Sequence, residues 1–334
     1  MTRRWLLLLG KLAVSGCLLW FVLSEVQLSE IVTRLRAADI RWLVPVFALA
    51  PIVIILSAWR WRVLSLGLIK FGDAVSYTWI GLFFGSILPG AIGGDVAKGV
   101  SLAANNPKTR DPRLPVSILV DKLVGFWVLL LLFNAVALGL LSSQPQLLAG
   151  ARSAIRLTII LTLVGLLGGI ALCSAWGQYY FSRLADLLPF TPVRALSKRL
   201  LGAVCSYGGQ GTILFKAALI GVLIHGLNAL SFWLTMRALA IPASPWYAAV
   251  FYSLLSVLLA LPISISGVGV RDVFSASMFT VFGLGAESGV AFSWLLLTMN
   301  TPNVLLGGCI QFYELFARNK VMTSSGKLKQ DGTA

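Results

Sequence analysis

The apolar positions of this chain fall in long runs rather than in the alternating or stripe-like patterns of soluble strands and helices. "WLLLLGKLAVSGCLLWFVL" at 5–23 and "FWVLLLLFNAVALGLL" at 126–141 show the pattern. A run of about 20 apolar residues matches a hydrocarbon layer roughly 30 Å thick. Six runs read as full membrane spans: 5–23, 42–58, 114–141, 153–174, 213–237 and 287–315. Two further apolar stretches, 75–94 and 247–285, are interrupted. The interruptions are "LPGAIGGDVAK", Leu88–Lys98, and "LPISISGVGVR", Leu261–Arg271, which begin 173 residues apart. Both read Leu-Pro, then small residues around an Ile, with Gly at the seventh place and a cation at the eleventh.

Each interrupted stretch either crosses the bilayer or dips in and returns to the same side. Loops on the cytoplasmic side hold the excess of Lys and Arg. With both stretches re-entrant, 17 loop cations lie inside, against Arg34, Arg36, Arg41 and Arg152 outside. With both stretches crossing, the balance becomes about 10 against 11, and the rule fails. The expected fold is therefore all-α: a polytopic helical membrane bundle of six full spans plus two inverted re-entrant helical hairpins, with both termini cytoplasmic. Broken helices at the interface of inverted repeats are a transporter design. The chain reads as a single transmembrane domain over 1–320, with a suspected inverted repeat of 1–141 and 153–315. A disordered cytoplasmic tail is expected at 321–334, and an interfacial helix or a cytoplasmic loop in 176–212.

Composition agrees. Of 334 residues, 58% are apolar, where soluble domains hold about 45–50%. The net charge of +15 sits in short loops between apolar runs. It reads as topology and affinity for anionic headgroups, not as a nucleic-acid surface. Trp42, Trp59, Trp61, Trp246 and Tyr247 stand at span ends as interface anchors. Cys17, Cys173, Cys205 and Cys309 share no metal-type spacing, and neither a disulfide nor a metal nor any cofactor is inferred.

The interruptions carry the candidate chemistry. Irregular backbone at membrane depth is tolerated only where protein or water surrounds it. Pro89 and Pro262 should end a helix. Gly93, Gly94, Gly267 and Gly269 then allow a sharp turn and close approach of a ligand. The amides opening the next helix attract anions, and Lys98 and Arg271 add full positive charge. These six residues are the candidate substrate site for a phosphate headgroup. Asp121, expected to face Lys98 or Arg271, and Lys122, Asp95 and Asp272 are candidates for charge balance or ion coupling; snorkelling to water is the alternative for Asp121 and Lys122. His225, Asn300 and Asn303 are candidate cavity-lining groups, and Pro302 should kink the last span. Neither motif has the strand context or the Gly-Lys-Ser/Thr ending of a nucleotide loop.

At "LPGAIGGDVAKG" (88–99), Asp121-Lys122 and "PISISGVGVRD" (262–272), the chain resembles the membrane region of the lysylphosphatidylglycerol synthase, or flippase-like, family. Family patterns place Arg at Lys98, Glu-Arg at Asp121-Lys122 and Glu at Asp272; Lys at 98 offers a point charge where Arg offers a planar fork. The resemblance covers about residues 1–320 and implies a bacterial inner-membrane protein that moves lipids between leaflets. It also implies no aminoacyl transfer, because the synthase domain of lipid-modifying members is not in this sequence. Three functions stay open: a translocase, not an enzyme, for an anionic phospholipid or polyprenyl-phosphate lipid; a membrane-embedded enzyme acting on lipid phosphates; and a non-transporting partner of a lipid or glycan synthase.

Overall fold

The computed structural model describes residues 16–17, 19–24, 26–87, 93–105, 111, 113–143, 152–174, 179–180, 183, 207, 209–260 and 267–330. Among them every regular element is a helix. In chain order these are α1 (Leu28–Arg36), α2 (Ile40–Leu64), α3 (Phe71–Ile87), α4 (Gly93–Asn105), α5 (Arg113–Ser143), α6 (Arg152–Cys173), α7 (Gly211–Ala238), α8 (Pro245–Ala260), α9 (Val270–Val281) and α10 (Ala286–Gln330). The expected first span lies mostly outside the described residues, as does most of 176–212.

Helix is what a backbone adopts in hydrocarbon, because each segment then satisfies its own amides and carbonyls. Four stretches are long and apolar enough to cross a membrane: Ile40–Leu64, Arg113–Leu141, Gly211–Ala238 and Ala286–Phe316. The 22 residues of α6 rise about 33 Å, enough to add a fifth. α6 is tied to α5 by side-chain bonds at membrane depth. Asn134 Nδ2 donates to Thr162 Oγ1, and Thr158 Oγ1 donates to Asn134 Oδ1, both at 2.8 Å.

The two interrupted stretches are hairpins. α3 and α4 have 17 and 13 residues, or about 25 and 20 Å of helix. They fold back on each other so that Lys98 packs against Gly81, and Gly94 against Gly81 and Gly85. That pairing is antiparallel and leaves Phe71 and Asn105 on one side. α8 and α9 have 16 and 12 residues and repeat the arrangement. Tyr247 at the start of α8 lies 5.5 Å, ring to ring, from Phe282 just past α9. Phe251 lies 5.4 Å from Phe279.

The hairpins enter from opposite faces. α2 and α7 run side by side and antiparallel. At one end the Asp39 amide donates to the Ala238 carbonyl at 2.9 Å. At the other the Tyr207 hydroxyl donates to the Leu64 carbonyl. The first hairpin starts just beyond Leu64 and the second just beyond Ala238. One offset of 174 relates Leu64 to Ala238, Phe71 to Pro245, and the left-handed residues Leu66 and Ala240, each with φ 55°. The face at Leu64 carries Arg62, Lys70, Arg113 and Lys216 and is called the basic face below.

α10 braces both hairpins. A Cβ on Gly289 would overlap the Ser275 carbonyl of α9, and one on Gly307 the Trp79 carbonyl of α3. Those glycines are separated by about 27 Å of helix, so one rod holds each hairpin near a different face. Pro302 lies between them without ending the helix. α10 runs on through Gln330. Extending a formed helix is far easier than nucleating one, and no proline follows Pro302.

The brace makes a prediction. Gly307→Val should lower the thermal midpoint of the purified protein sharply, since overpacking costs roughly 1–3 kcal/mol even against side chains that can shift, and here the neighbour is backbone. Gly168→Val, with nothing within 4 Å of its Cβ position, should leave the midpoint near wild type. Equal melting of the two variants would refute the brace.

Candidate functional site

The first motif's charges meet at α2, α4 and α5. Arg60, one turn before the end of α2, faces α5 and donates from Nε to Asp121 Oδ1 at 2.7 Å. Both residues are under one tenth exposed, at 8% and 9%. The guanidinium fits against Gly125, where a Cβ would come within 2.9 Å of it. Beside it Trp61 is buried and donates from Nε1 to Ser117 Oγ at 3.0 Å. The Lys98 ammonium sits over the Trp61 ring, 5.3 Å from its centroid, with its stem laid along Gly81. Lys122 Nζ reaches Asp95 Oδ2 at 2.8 Å and so ties α5 to the first turn of α4.

Three expectations need correction. Asp121 takes Arg60 as its ion-pair partner, not Lys98 or Arg271, because α2 lies directly against this part of α5. Arg60 is thereby a buried membrane residue rather than a loop cation. Trp61 is a core residue rather than an interface anchor; Trp59, 45% exposed, keeps that place. Both residues were missed because "WRWR" at the end of an apolar run looks like a headgroup signature, and only helix phase separates its inward from its outward members.

The charges do not cancel. Arg60, Lys98 and Lys122 face Asp95 and Asp121, and both carboxylates are already engaged. Among the described residues no carboxylate lies within salt-bridge distance of Lys98. Asp121 and Asp95 attract it only from further away. The cluster thus holds one positive charge in excess, on the limb of a re-entrant hairpin.

The second motif is balanced within itself. Arg271 Nε donates to Ser293 Oγ at 2.8 Å, and the Ser293 hydroxyl donates to Asp272 Oδ1. Asp272 Oδ2 also takes the Gly269 amide at 3.0 Å. The amides of Arg271 and Val273 turn back to the carbonyls of Gly267 and Gly269, each at 2.8 Å. Three donors that were expected to face a ligand are therefore used by the chain. Asp272 is a positioning residue that fixes Arg271 through Ser293.

The glycines divide by role. Gly267 and Gly269 adopt φ of 77° and 81°, the left-handed region that side chains avoid. Gly94 is consumed by the hairpin, since a Cβ there would overlap the Gly81 carbonyl. Gly93 opens α4. Pro89 and Pro262 lie outside the described residues, and the helices before them end at Ile87 and Ala260. Asn303 is buried, whereas Asn300 and Pro302 are exposed.

His225 joins the halves. Its Nε2 lies 2.9 Å from the Gly125 carbonyl and its Nδ1 2.7 Å from the Tyr252 hydroxyl. A carbonyl only accepts, so Nε2 carries the hydrogen and Tyr252 donates to Nδ1. His225 thus links Gly125 of α5, which abuts the Arg60 guanidinium, through α7 to the first limb of the second hairpin. Cys17 and Cys309 are free thiols. No group of three metal-ligating side chains occurs among the described residues.

Compared with known proteins, residues 8–306 match the family described as lysylphosphatidylglycerol synthase TM region. No curated protein and no solved structure gives a significant match.

The buried ion pair is open to a double-mutant test. Arg60→Met or Asp121→Leu alone strands a buried charge and should destabilise the fold by about 3–5 kcal/mol. The double variant should recover most of that loss. Denaturation of the four proteins in one detergent measures it, and additive losses would mean that the two side chains are not coupled.

Proposed function

The chain belongs to the lysylphosphatidylglycerol synthase TM region family, and from that premise we propose that it is a flippase-like translocase of the bacterial inner membrane. It is a multi-pass membrane protein of a lipid-handling family, and the proposal narrows this to moving a lipid with an anionic headgroup between leaflets. The carrying observation is Lys98, a half-buried cation with no salt-bridge carboxylate among the described residues, held on a hairpin that enters from the basic face. A stranded charge at membrane depth is costly unless it has a function. A phosphodiester headgroup carries the one negative charge that would balance it.

Each residue has a part in this reading. Lys98 meets the phosphate, with Trp61 holding the ammonium in place. Arg271 presents its guanidinium from the opposite hairpin, aimed by Ser293 and Asp272. Asp121 and Asp95 neutralise Arg60 and Lys122, so that the net attraction is one charge and the lipid can leave again. The acyl tails stay in the bilayer. The two halves rock about the α2–α7 contact, exposing the headgroup to either side. The basic face is cytoplasmic by the positive-inside rule. The protein acts as a carrier rather than an enzyme, with anionic lipids as its partners.

Reconstitution into liposomes containing fluorescent phosphatidylglycerol or phosphatidylcholine tests the reading. Wild type should redistribute the anionic lipid faster than the zwitterionic one. Lys98→Ala should cut the anionic rate about 10-fold or more, the value of one desolvated charged contact. Arg271→Lys, which keeps charge but loses the fork, should fall between. Rates equal to protein-free vesicles for folded wild type would sink the proposal.

A further inference from the structure

A positively charged cavity lies on the basic face, away from both motifs. Its volume is about 530 Å³, and Arg62, Arg113, Lys216 and Gln210 line it together with Val63, Leu66, Gly67 and Ile213. It opens between the end of α2 and the starts of α5 and α7. The positive ends of two helix dipoles therefore border this region, although the Arg113 and Leu114 amides are taken by Asp111 and the Ile213 and Leu214 amides by the Gln210 carbonyl.

The one opposing dipole is capped. α2 ends here, and its last carbonyls would repel an anion. The Trp61 carbonyl takes the Ser65 amide at 2.8 Å, and the Arg62 carbonyl takes the Ser65 hydroxyl at 2.7 Å. The Val63 carbonyl takes the Leu66 amide at 3.3 Å, and the Leu64 carbonyl takes the Tyr207 hydroxyl. Donors from the chain thus meet the four carbonyls that would face the cavity.

Among the described residues the charge is not cancelled. Asp111 is held by Arg113, with Nη2 to Oδ2 at 2.6 Å, and that guanidinium keeps its carboxyl below the usual range and ionised. Arg62 and Lys216 form no salt bridge among the described residues. Two of the three cations remain free to bind.

The fold itself does not demand a charged lining here. The 174-residue offset that relates the halves carries Arg62 onto Met236. Met236 lines a smaller cavity on the opposite face, of about 130 Å³, walled by Tyr247, Phe251, Phe279, Phe282 and Leu284. One cation of that face, Arg237, lies over the Trp42 and Trp233 rings, at 5.3 and 6.0 Å. Equivalent positions thus build a greasy pocket on one face and a cationic one on the other.

We propose that the cavity of Arg62, Arg113 and Lys216 is a phosphate-binding site on the basic face, separate from the hairpin site. The phosphate is carried by an anionic lipid headgroup or by a small soluble phosphate ester. Arg62 and Lys216 contact it, Arg113 contributes the guanidinium edge that Asp111 leaves free, and Val63, Leu66 and Ile213 receive the carbon skeleton. The site does not depend on translocation.

Native mass spectrometry of the full chain in detergent tests the site in a Lys98→Ala/Arg271→Ala background, so that the hairpin cations do not contribute. Dioleoylphosphatidylglycerol and glycerol 3-phosphate are titrated separately, with dioleoylphosphatidylcholine as control. One ligand should bind, and adding Arg62→Gln and Lys216→Gln should weaken it roughly 10- to 30-fold, as two interfacial cations warrant. Arg62→Lys with Lys216→Arg should retain it. Binding of phosphatidylglycerol alone assigns a lipid site, and binding of glycerol 3-phosphate as well assigns a site for phosphate esters. Occupancy by neither, or occupancy that the Gln variants leave unchanged in protein of unaltered melting behaviour, overturns the proposal. Because transport is not measured, failure here leaves the hairpin reading standing, and the reverse also holds.

Discussion

A chain that turns back inside a bilayer must supply partners for its own backbone, and the rest of this structure follows from that constraint. Loose peptide groups are intolerable in hydrocarbon. The hairpin limbs therefore lie against other protein at close range. The first closes on itself at Gly94, whose backbone lies directly against that of Gly81 and Gly85. Without apolar driving force between helices in lipid, such close packing is the main attraction available. The second hairpin is built differently. Its limbs meet through aromatic rings, with Phe251, Phe279 and Phe292 within 5.4 Å of one another. Two similar topologies thus rest on two packing chemistries. The long last helix serves both, with Gly289 against the backbone of one hairpin and Gly307 against that of the other.

The same constraint governs the charges. Ionised groups at depth persist when paired, and the pairs here join different helices: Arg60 of α2 with Asp121 of α5, and Lys122 of α5 with Asp95 of α4. Each pair fixes the angle between the elements that carry it. Lys98 has no such partner among the described residues, and its surroundings explain how it is tolerated. An aromatic face attracts a cation without neutralising it, so the Trp61 ring steadies the ammonium while leaving its charge available. Trp61 is itself held by Ser117.

Much of this was legible in the sequence. Long apolar runs gave the spans, and the basic count distinguished returning from crossing segments before any contact was known. The motif spacing of 173 anticipated the offset of 174 between halves. Other features were hidden because they depend on helix phase and on neighbours distant in the chain. Arg60 and Arg62 look alike in "WRWR", yet one is buried on Asp121 and the other faces a cavity on the basic face. Ser293, which aims Arg271, sits in an unremarkable apolar run. Gly94 was read as room for a ligand, but the room is filled by Gly81.

The halves share a topology but not a chemistry, and sidedness can arise from that difference. An inverted repeat with identical halves would present the same surface to both leaflets and could not tell them apart. Here the cluster of Arg60, Lys98, Lys122, Asp95 and Asp121 at the first hairpin holds a surplus positive charge, while Arg271 and Asp272 balance each other in the second. The basic face has an open cationic cavity where the opposite face has an aromatic one and a cation stacked on two tryptophans. His225, which bonds both Gly125 behind Arg60 and Tyr252 of the second hairpin, lies where these unequal halves meet. Movement of α8 relative to α5 must break one of its two bonds, because a single imidazole cannot follow both partners.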